Sequence, residues 1–285
     1  MQVDKITMKN RSELEAKQAF SNTNIPPILV YQMGKVGSQT VYHSLINARI
    51  PNPVMHLHFI SEDLPDHIDT HEKAGISVPY HLFLGAAVRN VLLKNPHSAC
   101  KIISLVRDPI AFTVSDLFQN PYFASGDVML GSGNIDSEKA RIYLEGELKK
   151  PETFEYVDDW FDRELKRVFD IDVFEESFPV ELGYAVYKKS NVEVLILRLE
   201  DLSDKGPYVI SKFLGLDNPL KLLNSNVRNR TAGAGIYQRV LQEVRFDPSL
   251  CREIYTRRFV KHFYSNSMIE RFISRWSGTG NRVPA

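Results

Sequence analysis

A short loop with two glycines, a lysine and hydroxyl side chains follows the first apolar run of the chain. The run is Ile28–Tyr31, and the loop, from Gly34 to Thr40, reads GKVGSQT. Glycines allow a ligand to approach the backbone closely, and N–H groups at the start of a helix bind tetrahedral anions. The order G-x-x-x-x-G-K-[ST] of nucleoside triphosphate-binding loops is missing. The pattern therefore predicts a phosphate or sulfate site, with Lys35 as a mobile positive charge. An ordinary turn with a surface lysine is the alternative.

A second candidate anion site lies in the stretch SLVRDPIAFTVSDLF. Arg107 ends an apolar run before a helix that starts with proline, and Ser115 follows eight residues later. The planar guanidinium matches a phosphate group, and a serine hydroxyl can donate to the same group. Ligands of open α/β folds bind at the carboxyl ends of the strands, where we expect both elements. The two elements together predict a ligand with two separate anionic groups. Pairing of Arg107 with Asp108 remains an alternative.

The stretch VMHLHFIS offers a proton acceptor. His56 and His58 alternate along a predicted strand, so their side chains point to one face of the sheet. Histidine titrates near neutral pH, which suits removal of a proton from an alcohol. Two such histidines can also bind zinc, but no third ligand stands at a suitable spacing. We predict no metal site, and a structural role for both histidines stays open.

The elements that must position these residues alternate between strand and helix. Four apolar runs predict buried strands: Ile28–Tyr31, Val54–Phe59, Lys101–Val106 and Val192–Leu197. Helical patterns occur between them, at Thr40–Ala48, Leu82–Leu93 and Pro109–Phe118. Near-continuous apolar strands that alternate with helices are typical of a parallel sheet covered on both faces. We predict an α/β fold with a central parallel sheet and P-loop-like architecture.

Domain organisation follows from composition along the chain. Residues 1–24 are polar and predict a leader, either frayed or a short surface helix, and residues 25–285 predict a single domain. A charged stretch with apolar residues at helical spacing predicts a helical insertion at about 135–180. A basic loop, VRNRTAGAG, contains Arg228 and Arg230 and precedes further helical patterns. Oligomeric state is not indicated by any of these patterns.

Charge and hydropathy exclude several classes of partner. The chain has 35 basic and 35 acidic residues, so no general field favours nucleic acid or an anionic membrane. No apolar run approaches the roughly 18 residues of a membrane-spanning helix. The polar beginning is no secretory signal, and two cysteines suggest a reducing compartment. We therefore expect a cytoplasmic protein, and a catalytic fragment of a membrane-anchored parent is the alternative.

The two anion-binding stretches resemble motifs of sulfotransferases that use 3′-phosphoadenosine 5′-phosphosulfate (PAPS). GKVGSQT resembles the 5′-phosphosulfate loop of that family, and VRDPIAFTVS resembles its 3′-phosphate segment. LRLEDLS, KFLGL and VRNRTAGAG follow in the usual order, which extends the similarity from about Ile28 to about Tyr264. The nearest branch is the carbohydrate one, including bacterial proteins labelled capsular-polysaccharide synthesis. Phe112 departs from the pattern, because the family often has a second arginine there.

The resemblance implies roles for both anion sites. Lys35 would neutralise the oxygen that bridges the sulfate and the departing nucleotide phosphate. Four backbone N–H groups would hold the 5′-phosphate, those of Gly37, Ser38, Gln39 and Thr40. Arg107 and Ser115 would hold the 3′-phosphate. Arg228 and Arg230 would fold over the nucleotide and replace the missing second cation.

The resemblance also bears on the catalytic base. In some carbohydrate sulfotransferases a glutamate two residues before a histidine–phenylalanine pair removes the proton. His56 has that position in HLHF, which favours it over His58, and His58 would then order the loop or contact the acceptor. His81, His43 and Glu62 are possible substitutes.

The function that the resemblance implies is transfer of a sulfuryl group from PAPS to a hydroxyl group, on a carbohydrate or another acceptor. Such transfer resembles phosphoryl transfer, in which positioning and charge stabilisation do most of the work, so fixed cations suffice without a metal. One alternative is a nucleotide-dependent kinase, which needs ATP, Mg²⁺ and acidic metal ligands near Lys35. The other is a non-catalytic protein that binds a nucleotide or a saccharide.

Overall fold

The computed structural model describes residues 2–118, 136–223 and 240–279. The described residues form two compact units. The first unit comprises 2–106, 160–176 and 184–223, and the second comprises 107–118, 136–159, 177–183 and 240–279. Lys35, His56 and His58 belong to the first unit, whereas Arg107 and Ser115 belong to the second.

A five-stranded sheet in the order β2-β1-β3-β5-β4 forms the centre of the first unit. The strands are β1 (Ile28–Tyr31), β2 (Val54–Leu57), β3 (Cys100–Val106), β4 (Tyr184–Lys189) and β5 (Val192–Arg198). The strands β2, β1, β3 and β5 are parallel, and β4 pairs antiparallel with β5. Buried branched residues fill β1, β3 and β5, as expected for strands covered on both faces. The predicted α/β fold is confirmed, with a mostly parallel sheet.

Two details of the sheet differ from the prediction. The strand β4 was not predicted, because this edge strand is polar and half exposed and so lacks the apolar pattern of a buried strand. The strand β2 ends at Leu57 rather than Phe59. Its continuation leaves the sheet, because the N–H group of Ile60 donates to the carboxylate of Glu164, 2.8 Å away.

The helices surround this sheet in the first unit and form the described part of the second. In chain order they are α1 (Gln2–Ala19), α2 (Ser38–Asn47), α3 (Leu64–Lys73), α4 (Tyr80–Lys94), α5 (Pro109–Leu117), α6 (Ser137–Leu148), α7 (Glu152–Phe161), α8 (Arg167–Phe169), α9 (Leu199–Leu214), α10 (Pro248–Ile254), α11 (Arg258–Phe263) and α12 (Asn266–Ser277). A π-helical turn, Asp162–Lys166, joins α7 and α8. None of the described helices combines the length and the apolar character that a membrane crossing requires.

The polar leader forms α1, which packs on α4. Ala16 is fully buried, and the hydroxyl group of Tyr80 donates to Glu15 across 2.7 Å. Small and polar side chains make this contact, which explains why the helical pattern of residues 1–24 is weak.

The second unit has a core of aromatic side chains from its last helices. The rings of Phe178 and Phe263 lie 5.1 Å apart, and those of Phe246 and Trp276 lie 5.7 Å apart. Trp276 is fully buried. This core positions the segment that begins with Arg107, as described below.

Candidate functional site

The loop between β1 and α2 has the geometry of an anion-binding turn. Gly37 precedes α2 with φ 88°, and a Cβ atom there would lie 2.6 Å from Cδ1 of Leu199. The positive φ favours glycine at this position, and a Cβ atom would also force the Leu199 side chain to move. Gly37 offers no side chain that could cap α2, and its backbone oxygen accepts a bond from the N–H group of Thr40 at 3.1 Å. Lys35 also has a left-handed backbone, with φ 60°.

Three histidine rings stack edge to face beside this loop. The ring centroids of His56 and His58 lie 4.7 Å apart, and those of His58 and His81 lie 4.8 Å apart. The ring of Tyr42, on α2, lies 5.6 Å from that of His56. The rings of His56, on β2, and His58, directly after β2, thus lie side by side, and α4 adds His81. His43 is exposed at the outer side of Tyr42.

Backbone contacts hold His58 on both sides. Its Nδ1 atom lies 2.7 Å from the backbone oxygen of Gln32, and its own backbone oxygen accepts a bond from the indole of Trp160 at 3.1 Å. A carbonyl oxygen can only accept, so Nδ1 carries the proton and Nε2 is the basic atom of the neutral ring. Burial lowers the pKa of His58, and the positive charge of Lys35 lowers it further, while the bond to Gln32 acts in the opposite direction.

His56 has a different environment. Its Nε2 atom is buried without a hydrogen-bond partner. Burial, helped by the neighbouring rings of His58, His81 and His43, lowers the pKa of His56 to about 3. Burial also lowers the pKa of His81, to about 4. Both rings are therefore uncharged at neutral pH, and both are weak bases.

Glu164 was not among the predicted site residues, although its carboxylate binds the backbone of the segment that follows the histidines. It is 2% exposed and accepts bonds from the N–H groups of Ile60 and Ser61 at 2.8 and 2.9 Å. The hydroxyl of Ser61 donates to it at 2.7 Å, and the hydroxyl of Tyr31 also donates to it. Glu164 follows the buried Trp160 by four residues, which puts it on the apolar side of the helical pattern. A carboxylate in that position was the available signal.

Gln32 joins the ends of β1 and β3. Its Oε1 atom accepts a bond from the N–H group of Leu105 at 2.8 Å, which fixes the orientation of the amide. The Nε2 atom is buried without a hydrogen-bond partner. Together with the bond from His58 to its backbone oxygen, these contacts make Gln32 the link between the sheet and the histidine cluster.

The segment that starts with Arg107 is anchored through Asp108. Arg107 directly follows β3, which is parallel to β1, so the two strands end at the same edge of the sheet. Asp108 is 1% exposed and accepts bonds from the Tyr255 hydroxyl and the Trp276 indole, each at 2.7 Å. It also accepts a bond from the N–H group of Ile110 at 3.0 Å and so caps α5.

The remaining predicted positions differ in their surroundings. Ser115 is buried on α5. Phe112 is also buried, with its ring 6.0 Å from that of Tyr156, which gives a packing reason for the departure from arginine. Glu62 is exposed and pairs with Arg167 at 3.5 Å.

Two further predictions concern the late basic loop and metals. Arg228 and Arg230 lie outside the described residues. Across residues 2–118, 136–223 and 240–279, no three His, Cys, Asp or Glu side chains are placed to hold a metal ion.

Comparisons with known proteins bear on the second half of the chain. No curated protein matches the sequence, and no solved structure matches it. One family model does match, over somewhat less than half of the chain and outside both predicted anion-binding stretches. Residues 133–265 match the family model NKWYS, described as "Putative capsular polysaccharide synthesis protein".

Proposed function

We propose that this chain transfers a sulfuryl group from PAPS to a hydroxyl group of a carbohydrate. The observation that carries the proposal is that Nδ1 of His58 lies 2.7 Å from the backbone oxygen of Gln32, three residues before Lys35 in the same loop. The transfer needs a cation for the departing phosphate and a base for the acceptor, both close to one anion-binding turn. N–H groups in the turn before α2 can bind the departing phosphate.

The proposed reaction is an in-line displacement at sulfur. Nε2 of His58 takes the proton of the acceptor hydroxyl while its oxygen forms a bond to sulfur. The bond between sulfur and the oxygen of the 5′-phosphate breaks, and the electron pair stays on that oxygen. Lys35 neutralises this growing charge, and adenosine 3′,5′-bisphosphate leaves. N–H groups of Gly37, Ser38 and Gln39 bind the 5′-phosphate, whereas the N–H group of Thr40, also predicted for this role, donates to the backbone oxygen of Gly37 at 3.1 Å.

His58 is the better candidate base, although the sequence pattern favoured His56. The bond to Gln32 defines which nitrogen of His58 is basic, and Lys35 lies near this ring. The Nε2 atom of His56, by contrast, is buried without a hydrogen-bond partner, so it is poorly placed to meet an acceptor hydroxyl. In this proposal His56 and His81 pack against His58 and fix its ring.

The 3′-phosphate is assigned to Arg107 and Ser115, with Arg228 and Arg230 supplying further charge. The anchored carboxylate of Asp108 supports a fixed backbone at this segment, which a specific phosphate site requires. A carbohydrate acceptor is supported by the printed description of the family model that matches residues 133–265.

Ligand-dependent thermal unfolding tests the donor. Adenosine 3′,5′-bisphosphate at 100 times its Kd should stabilise the protein by about 2.7 kcal/mol, because it binds only the folded chain. Adenosine 5′-monophosphate is the matched control without the 3′-phosphate, and it should stabilise less at equal concentration. Stabilisation by ATP with Mg²⁺, and none by the bisphosphate, contradicts the proposal and favours a kinase. Binding of the bisphosphate without any transfer from PAPS to carbohydrate acceptors favours a non-catalytic nucleotide-binding protein.

A further inference from the structure

A cavity of about 650 Å³ lies within the first unit, apart from the histidine cluster. Its walls come from the second half of α4, the residues around α8 and the turn between β4 and β5. Ser98 and Val192 line it close to the starts of β3 and β5, while Ile60 and Glu62 follow His58 by two and four residues. The cavity therefore reaches from the amino ends of two strands to the segment that carries the proposed base.

Arg89 provides an available cation in this cavity. Its Nη1 atom donates to the backbone oxygen of Ile60 at 3.2 Å, and this is its one hydrogen bond or ion pair with the residues that the structure describes. A guanidinium has five N–H donors, so most of its capacity remains for a ligand. Arginine offers these donors as a planar fork that matches a carboxylate or a sulfate.

The other charged side chains around the cavity form ion pairs that are exposed to solvent. Arg167 pairs with Glu62 at 3.5 Å and with Asp63 at 3.7 Å, and its side chain is 54% exposed. Such long, exposed pairs contribute roughly 0–1 kcal/mol and exchange partners easily. Lys189, which also lines the cavity, pairs with Asp170 on the surface. The lining thus has three cations against two carboxylates, which favours an anionic ligand.

Apolar side chains form the rest of the lining. Leu92 and Leu93 come from α4, and Phe169 ends α8. Leu93 is 63% exposed, so its side chain is accessible to a ligand. Apolar walls with a few placed polar groups are typical of ligand sites. They suit the C–H faces of sugar rings, whose hydroxyl groups can bond to Ser98 at the rim.

We infer that this cavity binds an acidic sugar residue, one that bears a carboxylate or a sulfate, of an oligosaccharide or polysaccharide chain. The inference rests on the proposed function for the presence of such a polymer. The strand β3 has seven residues and spans about 20 Å, so a ligand at its amino end is far from Lys35. The cavity therefore holds the polymer and raises its local concentration near His58, without taking part in the transfer.

Isothermal titration with defined tetrasaccharides tests the inference. The acidic probe alternates glucuronic acid and N-acetylglucosamine, and the neutral probe is the N-acetylglucosamine tetramer. The wild-type protein should bind the acidic probe at least about 10-fold more tightly, because hydrogen bonds between charged partners are stronger than those between neutral ones. Arg89→Gln should remove this preference, since the amide has no charge. Arg49→Gln is the matched control, because Arg49 is exposed and lies outside the cavity.

Three other results of these titrations would overturn the inference. Equal binding of both probes, or equal affinities of the Arg89 and Arg49 variants, overturns the inference. Inorganic sulfate that binds as tightly as the acidic tetrasaccharide also overturns it, because the sugar then contributes nothing. Titration of adenosine 3′,5′-bisphosphate into the same samples separates the two proposals. If the bisphosphate fails to bind while the Arg89-dependent preference persists, the proposed donor is wrong and the cavity assignment stands.

Discussion

The Nδ1 atom of His58 lies 2.7 Å from the backbone oxygen of Gln32, the residue that follows β1. This bond fixes the tautomer of the ring, because the oxygen can only accept. The side-chain amide of the same glutamine is fixed by Leu105 on β3. The orientation of the proposed base is therefore set by the two strands after which the predicted anion-binding segments begin.

Substitution of the histidines tests which of them is the base. His58→Gln should lower kcat for sulfuryl transfer by about 10²- to 10⁴-fold, the usual contribution of a general base. His56→Gln should cost less, since its ring is a weak base. His43→Gln is the control, because His43 is exposed. Steady-state kinetics with saturating PAPS measures all three. A larger loss at His56 than at His58 returns the role of the base to His56.

The histidine cluster also predicts a pH dependence of stability. The pKa values of His56 and His81 are lowered from 6.5 to about 3 and about 4. Below pH 6.5 the unfolded chain therefore binds more protons than the folded one, and stability falls as pH decreases towards 4. Each histidine adds up to about 1.4 kcal/mol per pH unit to this slope. Urea unfolding between pH 7.5 and 4.5 measures it.

Carboxylates also change stability at acidic pH, so a matched pair of histidine variants is needed to isolate the contribution of the histidine cluster. His81→Asn should flatten the dependence between pH 6.5 and 5, whereas His97→Asn should leave it unchanged. His97 precedes β3 and is not part of the cluster. An unchanged slope in the His81 variant contradicts the lowered pKa.

Two substitutions of Lys35 should be equally inactive but should differ in stability. Lys35→Ala should lower transfer by about 10²- to 10³-fold, the usual loss for one group that stabilises a developing oxyanion, and leave binding of the bisphosphate nearly unchanged. Lys35→Gly should be equally inactive but more stable than the alanine variant by about 1 kcal/mol, because φ is 60° and glycine adopts this conformation without strain. Chemical denaturation and a transfer assay on both variants measure the difference. Unchanged turnover in Lys35→Ala removes the lysine from the mechanism.

Substitution of Asp108, in the second unit, should lower the stability of the protein. In Asp108→Asn one oxygen becomes an NH₂ group, which must face either the indole of Trp276 or the N–H group of Ile110. Neither donor can reverse its role, so one buried donor loses its acceptor. We expect a loss of about 2–4 kcal/mol in the free energy of unfolding. Tyr255→Phe removes one bond of the same set and should cost only about 1–2 kcal/mol.

The comparison of these two variants identifies the cause. Both positions are buried, so a general loss of packing predicts similar values. Equal destabilisation by Asp108→Asn and Tyr255→Phe contradicts the account based on the carboxylate. Affinity for the bisphosphate, measured well below the unfolding temperature, should fall in the asparagine variant, because Arg107 adjoins the altered residue.

Local patterns were sufficient to predict the buried strands and the loop before α2. Branched residues in β1, β3 and β5 are buried on both faces, and the position of glycine at residue 37 follows from its positive φ. The edge strand β4 could not be predicted, because its pairing with β5 leaves polar side chains exposed. The partners of Glu164 could not be predicted either, since Ile60 and Ser61 lie more than 100 residues away in the sequence. Contacts of this kind depend on the fold and leave no local pattern.

Glu164 predicts a positioning role, distinct from that of the base. The carboxylate accepts bonds from the backbone N–H groups of Ile60 and Ser61, which follow His58 by two and three residues. Glu164→Ala leaves these donors unsatisfied at about 1–3 kcal/mol each, and some of that variant is expected to be unfolded. Glu164→Gln is the conservative control, because its oxygen can accept both N–H groups while the Ser61 hydroxyl reverses to accept from the amide.

The glutamine variant should fold, bind the bisphosphate as the wild type does and keep most of its kcat, because it can keep these bonds. The folded fraction of Glu164→Ala should lose activity in kcat more than in KM. The nitrogen chemical shifts of the His58 ring report whether Nδ1 still carries the proton, a readout that a purely structural role does not change. We expect a mixed tautomer signal in folded Glu164→Ala, and the wild-type signal in Glu164→Gln and in Glu62→Gln, whose carboxylate is exposed. A wild-type tautomer and wild-type kcat in folded Glu164→Ala contradict the positioning role, because the segment after β2 then keeps its place without the carboxylate.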